Sequence, residues 1–171
     1  VPGVKRVLPI LNKRLNVVHG RREVDCQLIG TYPYYPDFTQ SKVIAGQFLN
    51  EAEENSKASS CVISHELAKR LFAGHNPLME TVEVRGYESS QIFVVKGILE
   101  ERVDTEKLPQ LPDAMGHTIA ANVYIPLSTF KSLYGVRNVD RSVGRLKLES
   151  VELSEIRVEF ASVEDVIPSL P

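Results

Sequence analysis

Four histidines, two cysteines and a few adjacent carboxylates are the residues of this chain that could bind metal or do acid–base work. His19, His65, His75 and His117 are scattered, and none has a His or Cys partner at the short spacing of a zinc site. His65 falls one position into a helical stretch and His19 falls at a turn, so both read as surface residues. Ser59, Ser60 and Ser64 lack the setting of a nucleophile elbow, and neither a P-loop nor a dinucleotide-binding glycine pattern occurs. Glu53/Glu54 and Glu100/Glu101 are neighbours in polar surroundings, whereas acid–base chemistry needs two carboxylates in different environments across a cleft. These pairs read as solvated charge. The chain is expected to be non-catalytic, with no cofactor and no metal.

Cys26 and Cys61 fit neither a zinc site nor a C-x-x-C motif, and each lies in an apolar, strand-like context. Two buried free thiols are the favoured reading. An oxidising compartment would permit a Cys26–Cys61 disulfide, contributing about 3–4 kcal/mol by loop closure.

The bulk properties exclude several classes. The chain has 171 residues, 43% hydrophobic and 25% charged, with a net charge of −2. It is long enough to bury a core, and its charge gives no reason to propose nucleic acid or an anionic membrane as partner. No apolar run of about 18 residues is present to span a bilayer, and no leader is recognisable.

Around these residues the elements alternate. Residues 7–18 and 23–29 read as two strands about a turn at His19, Gly20 and Arg21, with Pro9 arguing for an edge position or a late start of the first. Pro33 and Pro36 mark a loop over 32–37, and the Glu-rich stretch 50–60 reads as an exposed connection. Ser64 stands where a helix N-cap belongs. Leu67, Ala68, Leu71 and Phe72 share one helical face, Gly74 stops it, and Pro77 bars its resumption. Two strands at 81–85 and 91–99 follow. Pro109 and Pro112 mark a long loop over 100–121, expected to be mobile at 103–118. After a strand at 122–125, Pro126 opens a helix that packs Leu127, Phe130, Leu133 and Tyr134 and ends at Gly135. Strands at 143–148 and 155–160 and a final turn capped by Ser162 complete an α+β chain with mixed sheets.

The order of these words carries a resemblance. Val62–Leu99 runs from a strand ending in Ser64, through an A-x-x-L-F helix and an Asn76–Pro77 turn, to a strand reading F-x-V-x-G. Val1–Pro2–Gly3–Val4, Gly30–Thr31–Tyr32–Pro33, Ala45–Gly46–Gln47–Phe48 and Val123–Tyr124–Ile125–Pro126–Leu127 add further matches in the same order. Together they resemble the periplasmic core domain of MacB-like ABC transporter permeases. Met79, Glu80, Gln47 and Lys96 depart from that pattern, and Lys96 interrupts an otherwise apolar strand.

The resemblance implies a two-lobed extracytoplasmic α+β domain. Residues 1–30 and 122–171 would form a discontinuous membrane-proximal lobe, with 31–121 inserted as the distal lobe. It further implies a piece of a longer inner-membrane protein, served by an ABC ATPase domain or subunit and acting as a dimer of permeases. Its partner outside the membrane would be a periplasmic adaptor or a lipoprotein carrier. Leu108, Leu111 and Met115 on the Pro-rich loop, with Tyr34 and Tyr35, have two readings: each tucks back onto its own lobe, or they are the candidate contacts for that partner, because apolar and aromatic surface is favoured at interfaces. The rival reading is a free-standing extracytoplasmic binding module with a pocket between lobes.

Overall fold

The computed structural model describes residues 4–87, 89–101, 121–135 and 152–160, with side chains from Val7 to Gly135 only. Two long strands open it, β1 (Val4–His19) and β2 (Arg22–Thr31), paired antiparallel with His19 opposite Arg22. Gly20 supplies the positive φ of 59° that the tight turn between them requires. Pro9 lies where β1 has a partner on one edge only. β2 joins at Leu11, whereas Pro9 faces Ile156 of β8 (Glu152–Phe160).

The expected loop at 32–37 becomes a one-turn helix, α1 (Tyr35–Thr39), with Pro36 in its first turn. Strand β3 (Lys42–Gly46), not anticipated from sequence, follows. The stretch 50–60 is also more ordered than its polarity suggests. It forms α2 (Glu51–Ser56), started by a capping box in which Asn50 Oδ1 accepts from Glu53 N–H and the Glu53 carboxylate accepts from Asn50 N–H.

Next come β4 (Ser60–Ser64) and α3 (His65–Phe72). Ser64 Oγ accepts from Leu67 N–H at 3.2 Å, and Leu67, Ala68, Leu71 and Phe72 are the buried face, as the spacing predicts. The hairpin of β5 (Thr81–Arg85) and β6 (Ser90–Glu100), then β7 (Asn122–Pro126) and α4 (Leu127–Tyr134), follow the expected order. On α4, Leu127 and Phe130 are buried, but Leu133 is exposed. The strand expected at 143–148 and the turn at Ser162 lie outside the described residues.

The strands form one mixed sheet whose pairings close into a ring: β1–β2–β7–β4–β6–β5 and back to β1. β8 extends β1 and β3 pairs with β6. β2–β7 and β4–β6 are parallel, and the other pairs are antiparallel. Segments 4–30, 122–126 and 152–160 therefore share the sheet, and β4, β5 and β6 share it too.

Alternation along β2, β4 and β7 feeds two cores. Leu28, Ile63, Val123 and Ile125 join the larger one with α3 and α4, while Ile29, Val62 and Tyr124 join a smaller one with Tyr35 and Leu49. Close approach explains one glycine: a Cβ on Gly97 would sit 2.2 Å from the Gln47 carbonyl oxygen.

Candidate functional site

Three places on this sheet have geometry beyond packing. The first is the ladder between β1 and β8. Val4 lies opposite Phe160, so the first and last described residues meet at one end of one antiparallel pair.

The second is a carboxylate held by two tyrosines at the end of β6. Glu101 Oε1 accepts a hydrogen bond from Tyr35 Oη at 3.0 Å and another, shorter one from Tyr124 Oη. Asn122 Nδ2 donates to the same Tyr124 oxygen at 3.3 Å. Tyr35 and Tyr124 are 4% and 0% exposed, and their rings lie 5.2 Å apart beside Phe48. This arrangement corrects the expectation for Tyr35. Its ring is a core element and its hydroxyl is engaged, so it presents no surface to a partner. Tyr34 is half-buried, and its hydroxyl donates to the Val7 carbonyl at 2.7 Å. Glu101, read as solvated, is instead the acceptor on which both hydroxyls converge. Leu108, Leu111 and Met115 lie outside the described residues.

The third is a cleft of about 320 Å³ lined by His19, Arg21, Arg22, Leu71, Phe72, His75, Asn76 and Glu80. It lies where the β1–β2 turn meets the C-terminal end of α3. The His19 ring packs on Phe72 at 4.3 Å, and its Nδ1 is 2.9 Å from the Thr81 carbonyl oxygen, to which it donates. Arg22 Nη1 donates to the Arg70 carbonyl at 3.2 Å. Sequence reading passed over this site; the only signal was three basic residues in four positions, His19, Arg21 and Arg22.

Both cysteines are buried free thiols in the larger core. Burial pushes the Cys26 thiol from 9.0 up to about 12, with the Asp25 carboxylate adding to the rise, and pushes Cys61 up as well. Strand β7 lies between them, with Gln27 opposite Asn122 and Val62 opposite Tyr124. Two strand spacings are about 9–10 Å, beyond the ~7 Å that a disulfide spans between Cα atoms. Among the described residues no three His, Cys, Asp or Glu side chains converge as a metal site.

These features define a mixed-sheet α+β domain whose outermost described strands are hydrogen-bonded partners. The chain belongs to the MacB-like periplasmic core domain family, whose sequence profile matches residues 1–167. Its fold is similar to the extracellular domain of YknZ, a noncanonical ABC-type transporter from Gram-positive bacteria, with a TM-score of 0.71 at 21% identity over 99% of this chain and 72% of that one. It is also similar to the periplasmic region of MacB from Actinobacillus actinomycetemcomitans, with a TM-score of 0.63 at 21% identity over 80% of this chain and 55% of that one.

Among curated relatives, the macrolide export ATP-binding/permease protein MacB of Syntrophobacter fumaroxidans is 29% identical over 99 residues, 57% of this chain and 13% of that protein. MacB of Vibrio parahaemolyticus is 25% identical over 129 residues, 75% and 18% respectively. The pyoverdine export ATP-binding/permease protein PvdT of Pseudomonas putida is 28% identical over 79 residues, 46% and 12%. The chain thus matches less than a fifth of the length of these relatives. No helix among the described residues is long and apolar enough to cross a membrane.

Proposed function

We propose that this chain is the extracytoplasmic part of an ABC export permease. It has no catalytic role of its own. It passes movement of flanking membrane helices, driven by an ATP-binding domain or subunit, to an adaptor protein or cargo carrier outside the membrane. The observation that carries this is the pairing of Val4 with Phe160. A load-transmitting insert needs both connections to leave from one place, and a backbone ladder joining them moves as a unit. The relatives named as export ATP-binding/permease proteins support the same reading.

In this reading the chain works as a dimer of permeases, with the Val4–Phe160 end of the β1–β8 pair nearest the membrane. Leu108, Leu111, Met115 and Tyr34 are contacts for the partner.

Reporter fusions in the full-length gene test the placement. Alkaline phosphatase fused after Gly20 should be active and a fluorescent-protein fusion there dark, with hydrophobic segments of about 20 residues flanking the domain on both sides. Cytoplasmic reporter behaviour at Gly20 would overturn it.

A further inference from the structure

The cleft beside the β1–β2 turn has a charge that is unusual for this molecule. Among the described side chains, Arg14 pairs with Asp25, Arg70 with Glu66 and Arg85 with Glu83. Arg21 and Arg22 are the two described arginines with no carboxylate in ion-pairing range, and both line the same cleft. On a chain of net charge −2 this is a local reversal of sign.

The site is also partly preorganised. The Thr81 carbonyl and the Phe72 ring hold His19, and the Arg70 carbonyl holds one arm of Arg22. We propose that this cleft docks side-chain carboxylates from an acidic segment of an extracytoplasmic protein partner. The proposal relies on the export-permease reading for the compartment of that partner and for the side from which it approaches.

Three features select this occupant. A guanidinium fork matches a carboxylate with two parallel hydrogen bonds. Glu80 on the rim opposes a dianion such as phosphate, but tolerates a carboxylate accompanied by a donor such as a peptide N–H. The walls are mostly polar, with Leu71 and Phe72 the apolar exceptions. At 320 Å³ the cleft is at the small end for a small-molecule site, where apolar lining dominates, and suits one or two protruding side chains. Its position agrees. His19 closes the sixteen-residue strand that Val4 opens, so roughly 50 Å of strand separates the cleft from the Val4–Phe160 pair. A partner approaching from outside the membrane would reach it first.

The test uses the 171-residue chain and fluorescein-labelled hexaglutamate, read by fluorescence anisotropy at low salt. Hexaglutamate should bind at least ten-fold more tightly than labelled hexaglutamine. Arg21→Gln/Arg22→Gln should weaken it at least ten-fold, and Glu80→Gln should tighten it. Arg21→Gln alone, which removes no described hydrogen bond, should weaken it about three-fold even if the double variant unfolds. Lys57→Gln/Lys131→Gln, removing two exposed charges elsewhere, should change it less than two-fold. Equal weakening by that control pair would mean diffuse charge attraction and would overturn the site. Competition by inorganic phosphate or free glutamate at the same concentration as hexaglutamate would overturn the protein partner in favour of a small anion. Reporter fusions that failed at Gly20 would sink the permease reading and leave these binding results standing.

Discussion

The Lys96 ammonium lies 2.7 Å from the Glu53 carboxylate, joining the one charged residue in the interior of β6 to the short helix α2. Both side chains are 16% exposed. Glu53 also receives the Asn50 N–H of its own capping box, so one carboxylate ties a helix start to the sheet. Glu54, next to it, accepts from Ser128 N–H at 3.0 Å, at the start of α4. A residue pair that reads as solvated charge thus clamps three elements.

Removing one member of the first pair strands a half-dry charge. Glu53→Gln keeps an acceptor for Asn50 N–H but leaves Lys96 unpaired, and should lower stability by about 1–3 kcal/mol in urea unfolding. Glu53→Gln/Lys96→Met should recover most of that loss. Equal stability of Glu53→Gln and the parent chain would show that the pair contributes nothing.

Glu54→Ala removes the acceptor for Ser128 N–H in the first turn of α4 and should cost about 0.5–2 kcal/mol. Glu54→Gln, which keeps an oxygen there, should cost less. Thermal melts of the two variants give the comparison, and the reverse order would discard the capping role.

Gly97→Ala should be severe, because the new Cβ meets the Gln47 carbonyl rather than a side chain able to turn away. A loss of roughly 1–3 kcal/mol or more is expected from overpacking. A melt within a degree of the parent would mean that the two strands can separate without penalty.

The thiols predict a pH dependence. Burial raises Cys26 from 9.0 to about 12, so between these values the folded chain holds a proton that the unfolded chain has lost. Stability present below pH 9 should therefore fall as pH rises toward 12. Burial also raises Tyr134 to about 12, which acts in the same direction. Cys26→Ala/Cys61→Ala should flatten this alkaline decline, and iodoacetamide at pH 8 should label neither thiol until urea is added. Rapid labelling of the folded chain would refute the burial.

For the partner surface, changing Leu108, Leu111 and Met115 together to Ser should leave the melting temperature of the 171-residue chain nearly unchanged and impair export by the full-length protein. A large fall in melting temperature would return these residues to the core.

The sequence alone determined what local rules control. Ser64 as cap, the Leu67–Leu71 face, the stop after Phe72, the turn at Gly20 and the 81–99 hairpin all follow from residues within a few positions of each other. The ordered set of motifs was legible for the same reason, since each is a local junction of strand, turn or helix. The tertiary structure alone decided the ring of strands, the burial of Tyr35 against Tyr124 and the partners of Glu53, Glu54 and Glu101. Arg21 and Arg22 could be seen as basic, but their grouping with Phe72 and His75 depends on how α3 meets the turn. The long-range side-chain contacts of Tyr35, Glu53, Glu54 and Glu101 join positions 23 to 89 residues apart. No periodicity spans such separations: whether a glutamate is solvated or clamped depends on which strand closes over it.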